Sequence, residues 1–158
     1  MTRVFQIGLA IESLLNIAGA VPFVLYPDWC LSFAVAAADP KTGAPSVPPS
    51  SAVLWQFYGA LVLALTVPLV QCIPDSDAAA EKRRIVFQTL IAGEVLLEAV
   101  LLWHAARPEP SGFTLTALLL SAVNLLPALS WHSFVVYVKP GLMQSGGEAL
   151  AKSGKKKL

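Results

Sequence analysis

The sequence predicts an all-α protein, an integral membrane four-helix transmembrane bundle with both its N and C termini on the cytosolic side. Three observations carry that expectation. Of the 158 residues, 56% are hydrophobic and only 13% are charged, whereas a soluble domain carries about 25% charged residues. Four stretches approach the roughly 20 mostly apolar residues that a spanning helix needs. The basic residues are shared unequally between the segments that separate those stretches, and such asymmetry sets orientation.

The first predicted span covers residues 4–26 and is interrupted by Glu12 and Asn16. The second, 52–73, has no charge. The third, 85–104, contains Glu94 and Glu98, and the fourth, 113–138, again has no formal charge. Turn chemistry separates them: Tyr26-Pro27-Asp28-Trp29 leading to the run KTGAPSVPPSS, then IPDSD, then RPEPSG. Residues 1–143 thus form one membrane domain, and 144–158 read as a flexible lysine-rich cytosolic tail.

Nine basic residues fall on one side (Arg3, Lys82, Arg83, Arg84, Lys139, Lys152, Lys155, Lys156 and Lys157) and two, Lys41 and Arg107, on the other. By the positive-inside rule the nine are cytosolic. Lys155 and Lys156 stand fourth and third from the end of KKKL, matching a dilysine retrieval signal read by a receptor in the endoplasmic reticulum membrane. An unstructured lysine tail is the simpler alternative. A cleaved signal peptide ending near the small-residue run AVAAA fits less well. Glu12 and Asn16 interrupt its core, and the stretch exceeds the usual ~7–15 apolar residues.

Other classes are disfavoured. A net charge of +1 gives no reason to expect nucleic acid. Cys30 and Cys72 have no metal-ligand spacing, and whether they pair stays open. There is no CxxC, HExxH, phosphate loop or GxSxG. No cofactor and no metal are expected.

The informative stretch is IAGEVLLEAVLLW, residues 91–103, where Glu94 and Glu98 stand one turn apart in an otherwise apolar helix. A central Asp costs about 2.5–3.5 kcal/mol on insertion scales, and Glu should be similar. At about 1.5 Å per residue, Glu12 lies ~12 Å from the cytosolic end of the first span, Glu94 ~13.5 Å, Asn16 ~18 Å and Glu98 ~19 Å. Asn124 enters from the opposite side to a depth of ~16 Å, and Gln56 and Tyr58 lie ~6–9 Å below the lumenal end. Each helix therefore offers polar groups to one column. Asn16 and Asn124 taken singly are explained by interhelical hydrogen bonding, worth about 0.6 kcal/mol. Three glutamates and two asparagines at similar depth favour a functional cavity.

Asp28, at the lumenal end of the first span, is a turn residue or lines the mouth of that cavity. Trp131 and His132 lie near the cytosolic end of the fourth span. They read first as interfacial groups and second as substrate contacts. Gly8, Gly19, Gly59 and Gly93 are read as sites of close helix approach.

Two carboxyl groups in a low-dielectric pocket do not ionise together easily, so one residue type supplies both an acid and a base. That suits cofactor-independent chemistry: epoxide opening, cyclisation or double-bond migration on an apolar substrate entering from the bilayer. LWQFYGALVLALTVPLV, Ala92-Gly93-Glu94 and Tyr26-Pro27-Asp28-Trp29 resemble small four-span proteins of fungal polyketide clusters of the aurovertin and citreoviridin type. Some of those are assigned as epoxide hydrolases or cyclases. The resemblance spans nearly the whole chain and implies Glu94 as the leading catalytic residue. It implies Glu12, Asp28 and Glu98 as acid/base partners, and Gln56, Tyr58 and Asn124 as groups that position substrate or water. A sterol-isomerase-like enzyme is the second reading. It calls for an aromatic cage, whereas Trp55, Phe57, Tyr58, Trp103 and Trp131 look dispersed. A non-catalytic lipid- or metabolite-binding membrane protein is the third. The expected partners are the lipid membrane and an apolar small molecule, and a homodimer is compatible with so small a bundle.

Overall fold

The computed structural model describes residues 3–36, 38 and 43–145. The lysines of the predicted tail, and Lys41, lie outside the described residues. All regular structure within them is helical, apart from two isolated bridges. Four helices are long and apolar enough to cross a membrane: α1 (Arg3–Leu25), α3 (Pro49–Gln71), α4 (Asp77–Ala105) and α5 (Leu115–Ser133), whose span runs on to Val138. A short α2 (Pro27–Ser32) follows α1.

Several boundaries differ from the sequence expectation. Helix α4 begins at Asp77, eight residues before the apolar window. The Ser76 side chain accepts the Ala79 N–H at 3.3 Å, and Asp77 sits in the positive first turn. Helix α3 starts at Pro49, where a missing N–H is harmless in the first turn. Helix α5 starts after Thr114, whose hydroxyl accepts the Ala117 N–H at 3.2 Å. The preceding reversal uses Gly112 in the left-handed region, φ 71°. Helix α5 then passes into a π-helical turn, Phe134–Val138. Ser145 is buried and its hydroxyl donates to Asp77, so the folded part runs past residue 143.

The spans pack as two antiparallel pairs, α1 with α3 and α4 with α5. At the end where α1 begins, termed the near end, the Gln6 amide donates to the Ile73 carbonyl. At the far end the Gln56 amide donates to the Val24 carbonyl at 2.9 Å. The pairs are joined at the near end by one apolar cluster: Phe5 and Leu9 of α1, Leu69 and Cys72, Phe87 of α4, and Val135, Val136 and Met143. Arg83 seals it. Fully buried, it donates Nε to the Cys72 carbonyl (2.9 Å), Nη1 to the Met143 carbonyl (2.8 Å) and Nη2 to the Pro74 carbonyl. Away from this cluster the helices turn large apolar side chains outward, Leu14, Leu54, Phe57, Leu96 and Leu120 among them.

The glycines behave differently from one another. A Cβ on Gly59 would meet the Phe23 Cβ at 2.9 Å and the Ala20 carbonyl oxygen at 3.0 Å, so this glycine sets the α1–α3 approach. Gly19 and Gly93 have open space, and Gly8 would make only ordinary contact with Trp131. The close-approach expectation is corrected for those three. Cys30 and Cys72 are both free thiols, in α2 at the far end and beside α3 at the near end.

Candidate active site

His132 lies in the last turn of α5, just before the π-helical turn. Only 1% of it is exposed. Phe87 packs edge-on against the imidazole at 4.8 Å between centroids. A buried imidazole needs partners for both nitrogens, and each finds a carboxyl group. Nδ1 lies 2.8 Å from Glu94 Oε1 on α4, and Nε2 lies 2.8 Å from Glu12 Oε1 on α1. The imidazole therefore ties one helix pair to the other.

The geometry fixes a minimum proton count. Each N···O contact holds one proton, so the three groups share at least two. With two protons the array carries one negative charge, whichever atoms hold them, and with three it is neutral. A change of one proton is thus spread over three side chains along a single hydrogen-bonded line.

The two carboxyl groups have different surroundings. Glu12 lines a groove of about 530 Å³ between α1 and α5. Val4, Gly8, Ile11 and Leu15 form one wall, Pro127, Ala128 and Trp131 the other, and Asn16 and Asn124 lie beside Glu12. The groove is apolar along its length, with a polar patch partway. Glu94 does not line it. It is 8% exposed, behind the imidazole, and its Oε2 is buried with no hydrogen-bond partner.

The structure thus brings Glu12, Asn16, Asn124, Trp131, His132 and Glu94 together and leaves the other predicted residues apart. Glu98 is one turn beyond Glu94 on α4, half-buried, with Oε2 also unpartnered. Gln56 is spent on the Val24 carbonyl, twelve residues and about 18 Å along α1 from Glu12. Tyr58 packs among Phe23 and Trp55 in the α1–α3 pair. Asp28 is exposed in α2, beyond the far end of α1. Gln56, Tyr58 and Asp28 thus stand toward the far end, apart from Glu12.

His132 is the residue that sequence reasoning undervalued. The available signal was its register, since in an antiparallel pair a group near the end of α5 faces the first half of the apolar span 85–104, which includes Glu94. The aromatic residues are also less dispersed than the sequence implied. Phe23, Trp55 and Tyr58 gather at the far end with centroids 4.9–5.9 Å apart. At the near end Phe87 packs on His132, and Phe5 lies 5.9 Å from Phe87 and 6.1 Å from Trp131. Phe57 and Trp103 do point outward. Among the described residues no cluster of three or more metal-ligating side chains is found.

No family model, curated protein or solved structure matches this chain.

Proposed function

We propose that the protein is a membrane-embedded, cofactor-independent acid/base enzyme that opens or cyclises an epoxide on an apolar polyketide or terpenoid substrate. The observation that carries the reading is the Glu12–His132–Glu94 array, with Glu12 facing a mostly apolar groove. In this reading the outward apolar surface is lipid-facing, both termini are cytosolic, and the lysine-rich tail addresses the protein to the endoplasmic reticulum.

The cycle begins with the three-proton, uncharged array. Substrate enters the groove sideways from the bilayer, its epoxide beside Glu12. The Glu12 carboxyl gives its proton to the epoxide oxygen as the C–O bond breaks, which turns that oxygen into a hydroxyl. An internal hydroxyl, or water, bonds to the carbon that was released and becomes an oxonium. That oxonium returns its proton to the Glu12 carboxylate, so the enzyme ends as it began. His132 stabilises the transient carboxylate through its Nε2 contact, and Glu94 holds the imidazole in place. Asn16 and Asn124 orient the substrate oxygens. Glu12 is thus the group that touches substrate, and Glu94 is a positioning residue.

The test is mass spectrometry of products formed from a polyene epoxide by the purified protein in lipid nanodiscs. Glu12→Gln is expected to lower turnover about 10²–10⁴-fold while ligand still binds. Equal turnover in wild type and Glu12→Gln would refute the reading and leave a binding protein.

One observation favours an isomerase instead. Trp131, backed by Phe5, faces the groove beside Glu12 and would stabilise a carbocation by cation–π attraction. Turnover in D2O separates the two. Protonating an alkene leaves deuterium on carbon, and opening an epoxide does not.

A further inference from the structure

Asn16 and Asn124 both line the groove. The ordinary role of such residues in apolar spans is to hydrogen-bond one helix to another. Here they do not: among the described residues neither side chain has a hydrogen-bond partner. Asn16 is half-buried and Asn124 exposed. Hydrocarbon offers no hydrogen bond in place of a protein one, so both amides are open to an occupant of the groove.

A third polar group stands with them. Pro127 lies inside α5 and lines the same groove. Proline has no N–H, so the Val123 carbonyl, four residues earlier, loses its helical donor and lies against the proline ring. No side chain among the described residues donates to it. Pro22 and Pro68 also stand inside spans, but neither lines the groove. The bared carbonyl belongs to the residue just before Asn124, in the same turn of α5.

The chemistry of the three groups selects the ligand. A backbone carbonyl only accepts, whereas a primary amide both donates and accepts. A ketone or ester would leave the carbonyl unmet, and an ammonium would leave the amide N–H groups unmet. A hydroxyl group donates to the one and accepts from the other.

We propose that Asn16, Asn124 and the Val123 carbonyl bared by Pro127 form a hydroxyl-binding subsite of the groove. Asn16 is one turn beyond Glu12 on α1, about 6 Å along the axis. The substrate is then an apolar chain with an alcohol about 6 Å from the oxygen that meets Glu12. This rests on the proposed function in placing substrate in the groove, but its test reads binding and not turnover.

Two probes differ by one oxygen: an eighteen-carbon chain bearing an epoxide, and the same chain with a secondary hydroxyl about 6 Å from the ring oxygen. Each is added to the protein in nanodiscs at equal mole fraction in the lipid, and affinity is read from the rise in Tm. The wild type is expected to bind the hydroxylated probe about tenfold more tightly. Pro127→Ala returns an N–H to the Val123 carbonyl and removes a helix-breaking residue, so the fold is expected to hold. Pro127→Ala and Asn124→Leu should each bring the ratio of affinities toward one. Equal affinity for the two probes in the wild type, the result if water fills the subsite instead, would overturn the proposal. So would a preference that survives both substitutions. Turnover without a binding preference overturns the subsite and keeps the epoxide reading. A preference without turnover keeps the subsite and overturns the epoxide reading.

Discussion

Glu12 and Glu94 grip the same imidazole, but only Glu12 reaches the groove. The two substitutions should therefore give different kinetics. Glu94→Gln is expected to lower kcat by about tenfold or more with KM nearly unchanged, because in the proposed mechanism Glu94 touches no substrate. Asn124→Ala is expected to do the reverse and raise KM, since Asn124 lines the groove beside Glu12. Steady-state kinetics on the epoxide probe check both. The sequence marked all three residues, because glutamate and asparagine are conspicuous in an apolar helix. Composition and spacing could not rank them, and the resemblance put Glu94 first. Rank depends on which side of the imidazole each faces, a fact of helix rotation that hydrophobicity hides when all faces of a span are apolar. His132 was understated for a related reason: near a span end, next to Trp131, histidine resembles an ordinary interfacial group.

At the scale of elements, two residues do structural work that composition concealed. Gly59→Ala pushes a methyl group against the backbone of α1, with the Ala20 carbonyl oxygen 3.0 Å away. It is expected to destabilise the α1–α3 pair by about 1–3 kcal/mol, read as a lower Tm in detergent micelles. Gly93→Ala, with open space at the same kind of position, should leave Tm within a degree or two and is the control. Arg83→Met removes the donor shared by the carbonyls of Cys72, Pro74 and Met143. Its expected cost is about 3 kcal/mol or more. In the sequence Arg83 is simply the middle of Lys82-Arg83-Arg84, a topology signal. Its neighbours are exposed while it is fully buried, and the difference comes from the carbonyls of Cys72 and Pro74 before α4 and of Met143 in the folded-back segment. The four apolar stretches were plain in the sequence because about 20 apolar residues stand out. The start of α4 was not, because Asp77 to Arg84 is helical through capping and propensity, without apolar character.

At the scale of the whole molecule, the proposed orientation puts α2 on the side opposite the termini. A membrane-impermeant maleimide applied to sealed microsomes is then expected to spare Cys30 until the vesicles are opened. Buried Cys72 should stay unlabelled in both cases. Burial also pushes the Cys30 thiol above its ordinary range, so labelling of opened vesicles should quicken as pH is raised and more thiolate forms. Labelling of Cys30 in intact vesicles would reverse the orientation. The sequence supported the orientation through charge asymmetry, but it could not show that the two helix pairs share their main apolar cluster at one end only. That fact leaves a groove along the side of the bundle.

A groove between α1 and α5 that opens sideways changes what concentration means for this protein. Under the proposed function an apolar substrate is gathered from the plane of the bilayer, so the governing quantity is its mole fraction among lipids and not its amount per litre. Adding empty phospholipid to nanodiscs or vesicles at fixed bulk substrate should slow turnover by surface dilution. Halving the aqueous volume at fixed lipid should leave it unchanged.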